Sequence, residues 1–341
     1  MKLRLAINGF GRIGRMLVRA YLANHDYFKD LEIIAINDIA EAQTLLHLLK
    51  FDSTHGRLQA NVHLYENQLI IQKNNQTLCQ ILLLNQPNPQ QLIWHQLDID
   101  VVLECTGHFR SYNDANLHRL SGAKQVIIGS APFDMVDASV VVGVNDDTLS
   151  RTLPIISGVS CTTQALVPLL NTLHQTFGID SVMMTEVHAV TADQTVLDQA
   201  HRDLRRGRAS GQNIIPTTSS SINASIRVLP FLNGKLSGHS IRVPTVNVAC
   251  IDVTAVFTHT PTLNDVSNLL KTTSQTTLRG IMDYTDEPLV SSDFIGDTHS
   301  LIIDGSQLMQ AGNQFKILAW YDNEVGYANR LLDMCLVLAK R

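Results

Sequence analysis

A glycine triplet near the start of the chain constrains the fold more than any other feature. Gly9, Gly11 and Gly14 read G-x-G-x-x-G within Asn8-Gly9-Phe10-Gly11-Arg12-Ile13-Gly14. Before them, Leu3, Leu5 and Ile7 alternate as a short buried strand from 3 to 8; after them, Leu17, Val18, Tyr21 and Leu22 recur with a helical period. A second strand-like run, Glu32 to Ile36, ends in Asn37-Asp38. Strand, glycine turn, helix and strand together predict a dinucleotide-binding unit. The glycines permit a tight turn and let a pyrophosphate approach the helix N-terminus, where the dipole stabilises its charge. Gly9, Gly11, Arg12, Ile13 and Gly14 are therefore candidate cofactor contacts. Asp38 stands at the spacing of a carboxylate that accepts hydrogen bonds from an adenosine ribose, and its charge opposes a 2′-phosphate, so the pattern favours NAD over NADP.

The remainder suits two domains rather than one, since 341 residues exceed the size of a typical single core. A helix is predicted from Ala42 to Lys50, β-rich segments from 61 to 84, a surface loop from Asn85 to Gln91, and strands at Asp100 to Cys105 and Gln125 to Ile128. Thr106 and Ser130 follow these last two strands, where a doubly wound sheet binds its ligands, and are further candidate cofactor contacts. Beyond residue 160 long strand-like runs dominate, at Ser181 to His188, Ser240 to Val256 and Phe315 to Tyr321, with a polar connection from 191 to 211 that carries Arg202, Arg205, Arg206 and Arg208. This predicts a second, mostly antiparallel sheet.

A net charge of −5 gives no global attraction to nucleic acid or to an anionic membrane, so any anion site must be local. No apolar run approaches the ~20 residues of a membrane span, and no signal peptide is expected. The five cysteines are scattered and lack any Cys-x-x-Cys pair. A disulfide framework and a structural zinc site are both excluded as expectations, and a cytoplasmic location is expected. Cys161 alone stands in a distinctive place, between hydroxyl residues in Ser157-Gly-Val-Ser-Cys-Thr-Thr-Gln-Ala-Leu-Val-Pro168 and just ahead of a helical pattern. A thiol in the first turn of a helix is expected to lose its proton more readily than a free one, which makes Cys161 a candidate nucleophile.

These motifs, in this order, resemble the phosphorylating glyceraldehyde-3-phosphate dehydrogenase family and the related erythrose-4-phosphate dehydrogenases. The resemblance is carried by residues 6–15, by Asp52-Ser53-Thr54-His55-Gly56-Arg57, Ser160-Cys161-Thr162-Thr163, Arg242-Val243-Pro244-Thr245 and Trp320-Tyr321-Asp322-Asn323-Glu324. It implies a Rossmann-type NAD-binding domain with a mostly parallel sheet, residues 1–159 and 323–341, and an α+β catalytic domain with a mostly antiparallel sheet, residues 160–322. It implies a homotetramer with neither nucleic-acid nor membrane partners. Cys161 is then the nucleophile, His188 the base that ionises it, and Asn323 the residue that fixes the nicotinamide. Thr191 and Arg242 would hold the substrate phosphate, and Ser160, Thr162, Arg206, Ser219 and Ser220 an inorganic phosphate. The implied reaction is NAD-dependent oxidation of a phosphorylated aldose through a hemithioacetal and a thioester. Glyceraldehyde 3-phosphate plus phosphate is the leading substrate pair. Erythrose 4-phosphate with hydrolysis is the alternative, and a non-catalytic dinucleotide-binding partner protein the remote one.

Three departures from the family pattern bear on the site. Asp193 stands where a threonine is common, and must turn away or pair with an arginine to spare a phosphate dianion. Gln164-Ala165 replaces Asn-Cys, leaving Cys161 without a nearby second cysteine. Ser219-Ser220 replaces Thr-Gly, which keeps the hydroxyl donors but loses a glycine's close backbone approach. His201 is expected to lie at the surface.

Overall fold

The first strand, glycine turn and helix form as Leu3–Asn8, a turn, and Arg12–Ala23, followed by the strand Leu31–Asn37. This is a computed structural model that describes residues 2–74 and 76–341; residue 75, inside the expected β-rich stretch, lies outside the described residues. The chain divides into two compact units. One comprises Met1–Val140, Asn145–Val159 and Ala328–Arg341, and the other Val141–Val144 and Ser160–Tyr327.

The first unit is built on a nine-stranded sheet. In spatial order its strands are Ala138–Ser139, Ile155–Ser157, Gln125–Ile128, Val101–Glu104, Leu3–Asn8, Leu31–Asn37, Gln76–Leu84, Gln68–Lys73 and Asn61–Tyr65. The first seven run parallel and only the last two pairings are antiparallel. Val101–Glu104 and Gln125–Ile128 are buried at every position, as parallel strands covered on both faces must be. The strands after Leu3–Asn8 build outward to opposite sides of it, Leu31–Asn37 to one and Val101–Glu104 to the other. That reversal of direction is a topological switch point, and the glycine turn occupies its carboxyl end. Leu331, Leu332, Cys335 and Leu338 of the final helix are wholly buried.

The second unit holds an eight-stranded mixed sheet. Its main path is Ile215–Thr217, Leu236–Val243, Ile179–Ala189, Ala249–Phe257, Gln314–Tyr321, Leu301–Asp304 and Met282–Thr285, with Met309–Ala311 paired to Gln314–Tyr321. Five of its pairings are antiparallel and two parallel. The single run expected from 240 to 256 is in fact two strands. Pro244 has no N–H for the ladder, and the chain turns back with Val248 at φ +69°. The two strands then flank Ile179–Ala189 on opposite sides, one parallel and one antiparallel. Among the described residues no helix is long and apolar enough to cross a membrane.

Candidate active site

Cys161 is the first residue of the helix Cys161–Phe177. Ser160 caps that helix, its hydroxyl accepting from the Thr163 N–H at 3.1 Å. A serine at this position leaves the Cys161 and Thr162 amides without helical acceptors, so they face whatever anion forms beside Sγ. The residue before the cap, Val159, is β-branched yet sits at φ +51°. A β-branched side chain in the left-handed region costs about 1–3 kcal/mol, and such strain gathers where a turn must aim a reactive group. No pattern in the sequence announces it.

Strand periodicity assembles the rest. Glu186 and His188, two apart on Ile179–Ala189, share a face, and Arg242 is the register partner of His188 on the neighbouring parallel strand. His188 Nε2 lies 3.6 Å from Cys161 Sγ and 3.9 Å from Glu186 Oε1. Its Nδ1 lies 2.7 Å from the Ala189 carbonyl and 2.8 Å from Arg242 Nη1. Thr162 donates to Glu186 Oε1 at 2.8 Å and touches Tyr321 Oη at 2.8 Å, while the Tyr321 ring meets the His188 ring edge-on. Glu186 and Tyr321 were not singled out from the sequence as site residues. The i, i+2 spacing of Glu186 and His188 on a strand was the available signal for Glu186.

The surroundings of Cys161 pull against the helix start. Burial, reinforced by the Glu186 carboxylate, pushes Cys161 up to about 12. Burial, aided by the Arg242 charge and opposed by Glu186, pulls His188 down to about 4. The helix dipole contributes about 0.3–2 kcal/mol, less than the cost of stripping water from a thiolate beside a carboxylate. At 3.6 Å, His188 Nε2 is placed to take the Sγ proton.

Arg206 and Asp193 meet. Asp193 pairs with Nη1 of Arg206, with Arg202 at 3.2 Å and with His201 at 3.4 Å. These partners hold its carboxyl below the ordinary range against the opposing pull of burial. Its charge is directed to arginines, the second of the two arrangements expected of it. His201 is consequently no free surface residue: it is half-buried, with Nδ1 accepting from the Asp203 N–H at 2.9 Å. Arg206 also donates to Thr217 Oγ1 at 2.9 Å and the Thr218 carbonyl at 3.2 Å, so its fork is fixed on three sides. Thr162, by contrast, is buried with its hydroxyl engaged by Glu186 and Tyr321, leaving its backbone rather than its side chain for an anion. Thr191 is exposed, its hydroxyl donating to Gln194. Ser219 Oγ lies 2.6 Å from Ser221 Oγ. Ser220 is exposed at φ −73°, an ordinary conformation that needs no glycine. Gln164 is buried, and its Oε1 accepts from the Val142 N–H at 3.3 Å, a tie within the unit.

In the first unit, Gly9 has φ +91°, and a Cβ there would come within 2.7 Å of the Thr106 nitrogen; one on Gly14 would strike the Gly9 carbonyl. Gly11 is open, and the helix after it begins with no side-chain cap, so the Ile13 and Gly14 N–H groups of its first turn have no helical acceptor and suit a pyrophosphate. Ile13 is half-buried in that first turn. Asp38 accepts from the Phe10 N–H at 2.7 Å and the Ala40 N–H at 2.9 Å, with lone pairs remaining for a ribose. These residues fit NAD. Other candidates are already engaged. Arg12 pairs with Asp52 at 2.5 Å, and the Thr106 hydroxyl turns inward to Glu104. Ser130 Oγ is buried without a hydrogen-bond partner, as is Asn323 Oδ1 in the second unit, and each leaves an acceptor for a ligand.

The family model described as "Glyceraldehyde 3-phosphate dehydrogenase, NAD binding domain" matches residues 3–112, and that described as "Glyceraldehyde 3-phosphate dehydrogenase, C-terminal domain" matches residues 160–323. The chain is 43% identical over 343 residues to the glyceraldehyde-3-phosphate dehydrogenase of Geobacillus stearothermophilus, covering 100% of this chain and 99% of that one. It is 43% identical to glyceraldehyde-3-phosphate dehydrogenase 2 of Bacillus subtilis, covering 100% and 98%, and 42% identical to the glyceraldehyde-3-phosphate dehydrogenase of Mycobacterium leprae, covering 100% and 99%.

Proposed function

The chain belongs to the glyceraldehyde-3-phosphate dehydrogenase family, and from that premise we propose that it oxidises glyceraldehyde 3-phosphate with NAD and phosphate to 1,3-bisphosphoglycerate. The observation that carries the reading is Cys161 Sγ at 3.6 Å from His188 Nε2 at a helix start. The functional domains are drawn at 1–159 with 323–341 and at 160–322. The second boundary falls a few residues from the parting of the compact units because Asn323 serves the cofactor.

His188 Nε2 takes the Sγ proton as sulfur adds to the aldehyde carbon and passes it to the carbonyl oxygen, so that the hemithioacetal hydroxyl lies against the Cys161 N–H and the now neutral imidazole. When the carbonyl re-forms, His188 draws off the hydroxyl proton and a thioester remains on Cys161. NAD, when bound, supplies the acceptor for the hydride that leaves the same carbon. Phosphate then attacks the thioester carbon, and the acyl phosphate departs as Sγ regains a proton from His188. Arg242 and Thr191 would hold the substrate phosphate. Arg206, Ser160, Ser219, Ser220 and the Thr162 backbone would hold the inorganic one, since arginine forks and hydroxyls suit phosphate oxygens. Asp193, being paired with Arg206, presents no isolated charge to either anion.

A homotetramer in the cytoplasm fits the family and the free state of the five cysteines among the described residues. Steady-state rates with glyceraldehyde 3-phosphate and with erythrose 4-phosphate, each with and without phosphate, test the reading. Faster turnover of the four-carbon sugar, unaffected by phosphate, would replace it with the erythrose-4-phosphate alternative.

A further inference from the structure

Glu186 is a carboxylate set among the donors of an anion site. Thr162, Ser219 and Arg242, three of the residues read above as phosphate ligands, all act on it, and it is only 2% exposed. One of its oxygens is committed. Oε1 accepts from the Thr162 hydroxyl at 2.8 Å, with His188 Nε2 at 3.9 Å and Arg242 Nη2 at 4.0 Å farther off. The other is not: Oε2 is buried and has no hydrogen-bond partner among the described residues. Ser219, the hydroxyl beside it, has its Oγ 2.6 Å from Ser221 Oγ.

Holding the Thr162 hydroxyl takes one oxygen and no charge, so that contact alone does not account for an acid at this position. Burial opposes the charge, but His188 and Arg242 more than offset it, and the carboxyl stays below its ordinary range. Asp193, the carboxylate near Arg206, is by contrast engaged by Arg206, Arg202 and His201. An ionised carboxylate accepts hydrogen bonds and cannot donate one. It therefore repels an anion that arrives without a proton and binds one that brings a hydroxyl. Inorganic phosphate at neutral pH always carries a P–OH. Sulfate, of nearly the same size and shape, carries none. A site with a free carboxylate oxygen separates the two, because specificity is a difference of affinities and a repulsive contact serves it as well as an attractive one.

We propose that Glu186 is a specificity-determining residue of the inorganic-phosphate site: Oε2 accepts the P–OH of the incoming phosphate, admitting oxyanions that carry a proton and rejecting those that do not. The unprotonated oxygens are left to the arginine and hydroxyl donors. One of them forms the bond to the thioester carbon as the C–Sγ bond breaks, and the P–OH proton stays on the phosphate throughout. Arsenate, protonated at neutral pH as phosphate is, belongs with the admitted anions. This rests on the reading of inorganic phosphate as the acyl acceptor and adds a filter to it.

The test is a competition between the two anions. NADH formation by the full-length enzyme is followed at saturating glyceraldehyde 3-phosphate, whose own phosphate then fills the substrate site. Inorganic phosphate is varied against added sulfate at constant ionic strength. In the native enzyme the inhibition constant of sulfate should exceed the KM of phosphate by about tenfold or more, the scale of a lost hydrogen bond to a charged group. Arsenate should replace phosphate in sustaining turnover. Glu186→Gln keeps the size of the side chain and an oxygen for Thr162 but presents an N–H to the anion, so the ratio of the two constants should fall about tenfold, with sulfate gaining. Sulfate that competes with the native enzyme as tightly as phosphate overturns the filter and leaves the phosphate reading intact, and that measurement decides alone where the variant does not turn over. An unchanged ratio in an active Glu186→Gln overturns the filter in the same way. Native turnover that is indifferent to phosphate overturns both.

Discussion

Two buried histidines in this molecule sit beside buried glutamates, and they teach opposite lessons. In the first unit His118 is fully enclosed. Trp94 Nε1 donates to its Nδ1 at 3.0 Å, so its proton lies on Nε2, 3.0 Å from Glu104 Oε2. Glu104 is saturated in turn: Asn8 Nδ2 donates to Oε2 at 2.5 Å, and the Thr106 amide donates to Oε1 at 2.8 Å. In the second unit His188 is equally buried beside Glu186, yet its Nδ1 lies between the Ala189 carbonyl and Arg242 and its Nε2 faces a thiol. Burial and a carboxylate are common to both. What separates the structural histidine from the reactive one is what Nε2 faces: in His118 it meets the Glu104 carboxylate and, at 3.3 Å, the Asn8 amide, whereas in His188 it faces the Cys161 thiol.

The sharpest way to break this contrast is chemical. Cys161→Ser should lower kcat by about 10⁴-fold or more while leaving the thermal unfolding midpoint essentially unchanged, because it removes a nucleophile and hardly any volume; substantial turnover in the variant would refute the covalent route. His188→Asn should lower kcat by about 10²–10⁴-fold, the range for a lost general base, again with the fold retained. His118→Leu should do the reverse. It strands Glu104 and the Trp94 N–H in the interior and should cost about 3–5 kcal/mol of stability, read from denaturant midpoints at unchanged slope. Equal loss of stability in the His188 and His118 variants would erase the distinction.

A smaller effect follows from pH. Burial holds His188 near 4, against 6.5 in an ordinary setting. The unfolded chain therefore binds a proton here that the folded chain refuses between those values, and stability from this residue is lost as pH falls from about 6.5 to about 4. His188→Asn should flatten that part of the stability profile, measured by unfolding at successive pH values. Smallest of all, Ser160→Ala removes the cap accepted from Thr163 and should cost about 1 kcal/mol.

Local pattern determined the start of the fold and the identity of the reactive thiol. Gly9, Gly11 and Gly14 between an alternating strand and a periodic helix have one economical outcome, because only a glycine avoids the collision with Thr106 at position 9 and the clash with the preceding carbonyl at position 14. The helix Ala42–Lys50 lies at its expected bounds for a similar reason, since its apolar spacing is local. Cys161 stood out by its place at a helix start and His188 by the family motifs; they are 27 residues apart in sequence, and their 3.6 Å separation is a product of folding. Tertiary structure alone decided the rest. Whether Cys161 is a thiol or a thiolate depends on how much water and how much of Glu186 surround it, quantities summed over distant strands that pull against the helix start. That Asp193 turns to Arg206, that Thr162 is consumed by Glu186 and Tyr321, and that Arg242 reaches His188 across a strand pair are consequences of register and packing. Hydrogen-bond partners are chosen in three dimensions, so a sequence can name the reactive atoms without stating which proton each of them carries.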